Sequence, residues 1–297
     1  MKIGYIGLGN MGGPMCRNLI KGVNHQVVVH DLNPEAVAAC VAVGGTKAES
    51  LAQLAAECDV IFTSLPMPKH VEAVVLGEGG IAQHARPGTT YIDLSTNSPA
   101  VVKRLSAELA KKGIAMLDSP VTGGVPRATA GTIVVMAGGE ESVFEANRGL
   151  LAAFSSVVVH VGPIGTASVA KLLNNMLAFC NAAAAMEAMT MGAMAGIDLR
   201  KLFEIITNGS GDSAAIRGLE HRALAGKFEA SFHLDLAYKD LSLAVELATE
   251  HGVPGMIAPQ VLNLMRMARG LGLGGEDSST SLKVYERVMG REVRLPK

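Results

Sequence analysis

The sequence predicts an α/β protein. An N-terminal doubly wound sheet is expected over residues 1–162, and an all-α C-terminal domain over 163–297, with a long interdomain helix joining them. Three observations predict this. Short apolar segments alternate with helical patterns through roughly the first 160 residues, the pattern of β-α-β units around a parallel sheet. A proline-free run rich in Ala, Leu and Met then extends from 166 to about 195, a composition that favours helix. Everything after it reads as helix and loop.

The bulk numbers bound the function. A chain of 297 residues has room for two domains. With 49% hydrophobic and 18% charged residues it suits a well-buried globular protein, not a disordered one. A net charge of -1 without a basic block argues against nucleic acid or an anionic membrane as partner. Cys16, Cys40, Cys58 and Cys180 are widely spaced and form no CxxC or Cys/His cluster, so no metal site is expected. They read as buried thiols in a reducing compartment. No signal-peptide pattern precedes the first strand. Asn174, Asn175 and Asn181 interrupt the apolar part of the long helix before the ~20 residues a membrane span needs. A cytoplasmic protein is expected.

Residues 2–6 form a short apolar strand that ends in Gly7-Leu8-Gly9-Asn10-Met11-Gly12, and a helical pattern follows over 13–21. A GxGxxG between strand and helix is the setting of a dinucleotide-binding loop. Gly7 allows the tight turn, Gly9 lets backbone approach a pyrophosphate, and Gly12 lets helix and strand pack closely. The diphosphate would sit on the free amides of the helix N-terminus. A second strand over 26–30 ends at Asp31, 24 residues past Gly7, near the ~20-residue offset of an acid that binds ribose hydroxyls. A carboxylate there repels a 2′-phosphate, which favours NAD over NADP; alternatively Asp31 only starts the turn into Asn33-Pro34.

The alternation continues. Helices are expected over 34–43 and 50–57, and a strand over 59–64. Leu65-Pro66-Met67-Pro68 reads as a rigid loop at that strand's C-terminal end, where ligands sit in open α/β sheets. A strand over 91–93 leads to Ser95 and Thr96, then to Ser98-Pro99, an N-cap signal for a helix to 112. Ser95 and Thr96 could face a nicotinamide ribose or serve as ordinary turn residues. The strand over 114–117 ends in Asp118-Ser119-Pro120-Val121-Thr122-Gly123-Gly124. Gly123 and Gly124 are turn-formers that also expose amides able to hold a carboxylate, with Thr122 as a side-chain donor. A strand over 132–137, a helix over 141–154 and a strand over 156–161 complete the sheet. Further helices are expected over 199–207, 237–251 and 259–269, and one ending near 289.

Gly162, Pro163 and Gly165 form the turn into the long helix. Lys171 and Asn175, four apart, share one face of it. No other charge occurs between Lys171 and Glu187. A lone ammonium on an apolar helix either snorkels at an edge or is held for use.

Four separated motifs, in this order, give the chain a specific resemblance to the β-hydroxyacid dehydrogenase family, which includes 3-hydroxyisobutyrate dehydrogenase and tartronate semialdehyde reductase. They are GLGNMG at 7–12, DSPVTGG at 118–124, GPIGTASVAKLLNN at 162–175 and YKDL at 238–241. The resemblance covers nearly the whole chain. It implies a Rossmann domain, an all-helical C-terminal domain and an NAD cofactor. The family's catalytic lysine falls on Lys171 and its partner on Asn175. The carboxylate loop falls on Thr122, Gly123 and Gly124. The second lysine, which contacts cofactor and closes the site, falls on Lys239, beside Asp240. Leu65, Pro66 and Thr96 match cofactor-loop positions, and Phe232 a position near the nicotinamide. Many members carry Ser where this chain has Thr122. The hydroxyl is kept and a methyl is added, which bears on substrate identity, not on reaction type. Asp31 stands in place of the Asn-Arg pair of NADP-using relatives.

The chemistry agrees. Oxidising an alcohol by hydride transfer leaves a proton on the hydroxyl. No histidine stands in a recognisable His–Asp dehydrogenase arrangement, so Lys171 is the best proton carrier, with burial and a positive nicotinamide lowering its pKa toward the working pH. Asn175 would orient the hydroxyl or the lysine. Thr122 with the Gly123 and Gly124 amides would pin the substrate carboxylate. Arg127 could reach a second acidic group or be a solvated loop residue. Two rivals remain: an NADP-preferring imine or aldehyde reductase of the same architecture, and a non-catalytic dinucleotide-sensing module. Met186, Met189, Met191 and Met194 suggest a homodimer or homotetramer, or plain core packing.

Overall fold

The structure, a computed structural model, describes residues 1–296. The chain divides into two compact units, Met1–Lys171 and Leu172–Lys297.

The first unit begins with β1 (Lys2–Ile6), α1 (Gly12–Gly22), β2 (Gln26–His30), α2 (Pro34–Val41), β3 (Thr46–Lys47), α3 (Leu51–Glu57) and β4 (Val60–Thr63). Asn33 and Ser50 cap α2 and α3, each accepting a backbone N–H of the first turn. Next come α4 (Pro68–Leu76), α5 (Ile81–His84), β5 (Thr90–Asp93), α6 (Pro99–Ala110), β6 (Ala115–Asp118), β7 (Val121–Thr122), α7 (Gly124–Ala130), β8 (Ile133–Gly138), α8 (Glu141–Ala152) and β9 (Ser155–Gly162). α9 (Thr166–Ala195) is a single helix of 30 residues that starts in this unit.

Six strands run parallel in the order β3-β2-β1-β4-β5-β6, the usual order of a Rossmann sheet. β8 then runs antiparallel to β6 and β7, and β9 pairs parallel with β8. The sheet alternates its side chains between two cores. Ile3, Tyr5, Val27, Val29 and Phe62 pack with Met15 and Leu19 of α1 on one face. Ile6, Val28, Ile61 and Tyr91 pack with Leu54, Val102 and Leu105 on the other. Both faces are covered, as a parallel sheet requires. Chain direction diverges between β1 and β4, so their C-terminal ends open the crevice where such sheets bind ligands.

The second unit holds the rest of α9, then α10 (Leu199–Asn208), α11 (Ala214–Glu220), α12 (Leu234–Glu250), α13 (Ala258–Gly270) and α14 (Leu282–Met289), with short 3-10 turns at Ala223–Ala225 and Ser278–Ser281. Its core contains Met186, Met189, Phe203, Leu219, Leu241, Met265 and Leu282.

Three expectations need correction. Pro68 does not belong to a loop but opens α4, where a proline at the first helical position loses nothing because that N–H has no partner. Ser98 stands at the cap of α6 without a side-chain cap bond; its own N–H donates to Asn97 Oδ1 at 2.8 Å. The stretch after β6 is not all loop: it holds β7 and α7, and Pro126 fits α7 because it falls in the first turn. Beyond the six parallel strands the sheet reverses direction at β8. The four methionines divide: Met186 and Met189 are core, whereas Met191 and Met194 are exposed.

Candidate active site

The glycine loop follows from close packing. Gly7 has φ +91° and donates its N–H to the His30 carbonyl. A Cβ at Gly12 would overlap the Gly7 carbonyl oxygen and lie 3.0 Å from Ser64 Cβ, so only glycine lets α1 start this near β1 and β4. At Gly9 a Cβ would meet nothing within 4 Å. Gly9 is therefore dispensable for packing, and the open face at Gly9 suits the approach of a diphosphate. Met11, at the cap of α1, supplies no side-chain acceptor to the first amides; Leu8 is buried and Asn10 exposed. Asp31 accepts the Leu8 N–H at 2.6 Å through Oδ2 and the Asn33 N–H at 2.7 Å through Oδ1. It thus shapes both the turn after β2 and the glycine loop. Carboxylate oxygens have about four acceptor positions, so capacity for ribose hydroxyls remains. These residues fit a dinucleotide.

A buried polar chain backs the next two loops. Asp93 Oδ1 accepts from the Thr63 hydroxyl at 2.9 Å and from the Ser95 N–H at 3.0 Å, and Thr63 Oγ1 lies 2.7 Å from the Tyr91 hydroxyl. Burial pushes the Asp93 carboxyl above its ordinary value despite these donors. Ser95 Oγ accepts the Leu65 N–H at 2.9 Å. Ser95 is therefore a buried strut between the loops after β4 and β5. Pro66 and Thr96 flank it on those loops.

Asp118 at the end of β6 is the key residue that sequence reasoning passed over. Its carboxylate is 1% exposed and accepts the Gly165 N–H at 2.8 Å and the Ser168 N–H at 2.7 Å. These are amides at the α9 N-terminus, whose dipole also favours an anion. Burial outweighs them and raises the Asp118 pKa to about 6. Gly138 leaves room, since a Cβ there would lie 3.1 Å from both the Ala167 nitrogen and the Pro163 oxygen. One side chain thus ties the strand that leads into Thr122 to the turn that precedes Lys171. Its position as the first residue of DSPVTGG was the available signal. Beyond it, Gly123 (φ +134°) and Gly124 (φ +70°) open α7. Lys171, one turn into α9, is buried at 8% exposure.

In the second unit, Asn175 is also buried, on the next turn of α9. Its Nδ2 donates to Asp240 Oδ2 at 2.7 Å, and its Oδ1 accepts from Asn174 Nδ2 at 3.2 Å. Asp240 Oδ1 pairs with Lys239 Nζ at 2.9 Å. The YKDL segment therefore sets the Asn175 amide, a role the sequence left unassigned to Asp240. Phe232 is half-buried and stacks on Phe179 at 6.1 Å between centroids. A cavity of about 460 Å³ in this unit is lined by Leu177, Phe179, Met186, Arg222 and Asp277 among others. None of the expected site residues lines it. Asp277 there is saturated by Arg222, Ser231, Phe232 and Ser279, which marks it as structural. Among the described residues no three His, Cys, Asp or Glu side chains gather as a metal site.

Residues 2–162 match the family model described as the NAD binding domain of 6-phosphogluconate dehydrogenase. Residues 165–285 match that described as NAD-binding of NADP-dependent 3-hydroxyisobutyrate dehydrogenase. The chain is 39% identical over 295 residues to 2-(hydroxymethyl)glutarate dehydrogenase of Eubacterium barkeri, covering 99% of this chain and 97% of that protein. It is 34% identical to the NAD-dependent L-serine dehydrogenase of Pseudomonas aeruginosa, covering 98% and 99%. Among solved structures, 3-hydroxyisobutyrate dehydrogenase from Salmonella typhimurium superposes with a TM-score of 0.87 at 30% identity, covering 96% and 99%.

Proposed function

The chain belongs to the β-hydroxyacid dehydrogenase family and is an NAD-dependent oxidoreductase of small hydroxy acids; from that premise we propose that it interconverts an acid of the form HOCH2–CHR–COO⁻ and its semialdehyde. Three relatives carry names of one chemical pattern: 3-hydroxyisobutyrate, serine and 2-(hydroxymethyl)glutarate differ in R alone. NAD, when bound, supplies the acceptor for the hydride that leaves the carbinol carbon. The rest falls to the chain. Thr122 and the Gly123 and Gly124 amides hold the carboxylate. Lys171 Nζ takes the hydroxyl proton, and in reduction returns it to the forming alkoxide. Asn175, its amide fixed by Asp240, orients the hydroxyl. Gly7, Leu8, Gly9, Asn10, Met11, Gly12, Leu65, Pro66, Thr96, Phe232 and Lys239 contact the cofactor, and Asp31 reads its ribose in favour of NAD over NADP. Residues 1–162 act as the nucleotide domain and 163–297 as the substrate and assembly domain.

The single observation that carries this reading is the burial of Lys171 one helical turn before a buried, oriented Asn175. Burying an ammonium takes it out of water, which favours its neutral form and suits a group that exchanges a proton. A homodimer or homotetramer is part of the proposal: Met191, Ile205, Met256, Ile257 and Val288 leave large apolar side chains on the second unit exposed. So is a reducing cytoplasmic setting, which suits four free thiols. Among the described residues no helix is long and apolar enough to cross a membrane. The test is the absorbance of reduced nicotinamide across a panel of 3-hydroxy acids, with NAD and NADP in parallel. Turnover of a hydroxymethyl acid with NAD preferred is expected. NADH binding without turnover of any member would replace the enzyme reading with that of a sensor.

A further inference from the structure

The substituent R should be recognised by a residue that the reaction itself does not use. Arg127 lies on α7, three residues past Gly124. A Cβ at Gly123 would lie 2.7 Å from Arg127 Cδ and 3.0 Å from its Cβ. The arginine stem therefore lies across the space a side chain at 123 would fill. Gly123, at φ +134°, is a position that L side chains rarely adopt. The backbone conformation requires glycine at 123, and the arginine stem lies against the loop proposed to hold the carboxylate. The guanidinium begins at the next atom after Cδ. It is exposed, and among the described residues it has no ion pair or hydrogen bond. The other arginines of this unit differ: Arg86 and Arg104 meet Asp59 and Glu72, and Arg148 meets Glu145; among the described residues only Arg17 also has no ion pair.

An arginine whose stem lies along this loop and whose fork is unengaged is placed for a planar anion, because its donors match a carboxylate in pairs. The chain has no other cation on α7 or β7 to do this. We infer that Arg127 is a specificity-determining residue that binds a second carboxylate carried by R, and that the preferred substrates are hydroxymethyl dicarboxylates. This rests on the reading of Thr122, Gly123 and Gly124 given above. Neutral, short R groups then gain nothing from the arginine.

The experiment compares 2-(hydroxymethyl)glutarate with 3-hydroxyisobutyrate in the full-length enzyme, its Arg127→Gln and Arg127→Lys variants, with NADH binding and thermal melting as controls for folding. The wild type should favour the dicarboxylate in kcat/KM. The ratio of kcat/KM for dicarboxylate over monoacid should fall about 10- to 100-fold in Arg127→Gln, as loss of a hydrogen bond between charged groups implies, and recover in part in Arg127→Lys. Glutarate, which has both carboxylates and no hydroxymethyl group, should inhibit the wild type more strongly than Arg127→Gln. A ratio unchanged by either substitution, or a wild type that favours the monoacid, overturns the inference. Absence of turnover with every hydroxy acid would instead strike the underlying enzyme reading, so the two failures are distinguishable.

Discussion

Alanine at Gly12 and alanine at Gly9 should separate folding from cofactor binding. At Gly12 the new Cβ overlaps a backbone oxygen, Gly7 O, and touches Ser64 Cβ at 3.0 Å. Overpacking typically costs about 1–3 kcal/mol, and a backbone obstacle cannot swing aside, so the upper end, about 3 kcal/mol, applies. A domain of this size loses about 2–4 °C of Tm per kcal/mol, which gives a fall of about 6–12 °C. At Gly9 the Cβ meets nothing within 4 Å, and Gly9 is not among the glycines with positive φ. The apo protein should then melt within about 0.5 kcal/mol of wild type. The same Cβ would stand where the backbone must approach the diphosphate. Losing a hydrogen bond to a charged group costs about 1.5–3 kcal/mol, so the NADH Kd should rise about 10- to 150-fold. Calorimetric melting without cofactor and titration with NADH read the two effects separately. If Gly9→Ala bound NADH within about threefold of wild type, the loop would not be the diphosphate site.

Lys171→Ala should lower kcat about 10²- to 10⁴-fold, the usual worth of one general acid–base group, while NADH binding persists; activity within about tenfold of wild type would remove Lys171 from proton transfer. Asp31→Ala should raise the NADP/NAD ratio of kcat/KM, because the repulsion of a 2′-phosphate is lost along with the ribose contacts; an unchanged ratio would count against that role. Asp118→Asn tests burial. The folded carboxyl titrates near 6 against an ordinary 3.8, so the native state holds its proton to higher pH than the unfolded chain. This contribution to stability is present below pH 3.8 and is lost as pH rises through about 6, by about 3 kcal/mol in all. Stability of wild type minus Asp118→Asn, from denaturant titrations, should decline over that window; a flat or rising difference would show the helix amides winning over burial.

Much of the fold was legible because local signals agreed with it. β2 was read at its observed ends, since Gln26 to His30 is bounded by a Gly-Val-Asn-His turn and an Asp. α9 was read in full because nothing breaks it between Thr166 and Ala195. Two kinds of element were missed. α5 and β7 have four and two residues, too few to express a period. α7 hides behind Gly-Gly and Pro126, and α4 behind Pro68, residues that punctuate a sequence yet fit a helix's first turn. At the site, residue types in motifs could be listed, but pairings over long separations could not. The Asp118 bonds to residues 47 and 50 positions away, and the Asn175–Asp240 bond across 65, exist only after folding. The β8 reversal is of the same kind, because nothing in the alternation of apolar residues records strand direction.

The Asp118 bonds also act as a fulcrum. Ser168, the inner anchor, lies three residues before Lys171, a lever arm of about 4.5 Å along the helix axis. A tilt of about 5° about that anchor displaces the lysine backbone by only about 0.4 Å, below the ~1 Å error that can cost a hundredfold in rate. A helix of 30 residues is about 45 Å long, and an anchor at its far end would turn the same tilt into an error of several ångströms. Where the helix is pinned matters more than how stiff it is: the proposed proton carrier, Lys171, sits beside the pivot.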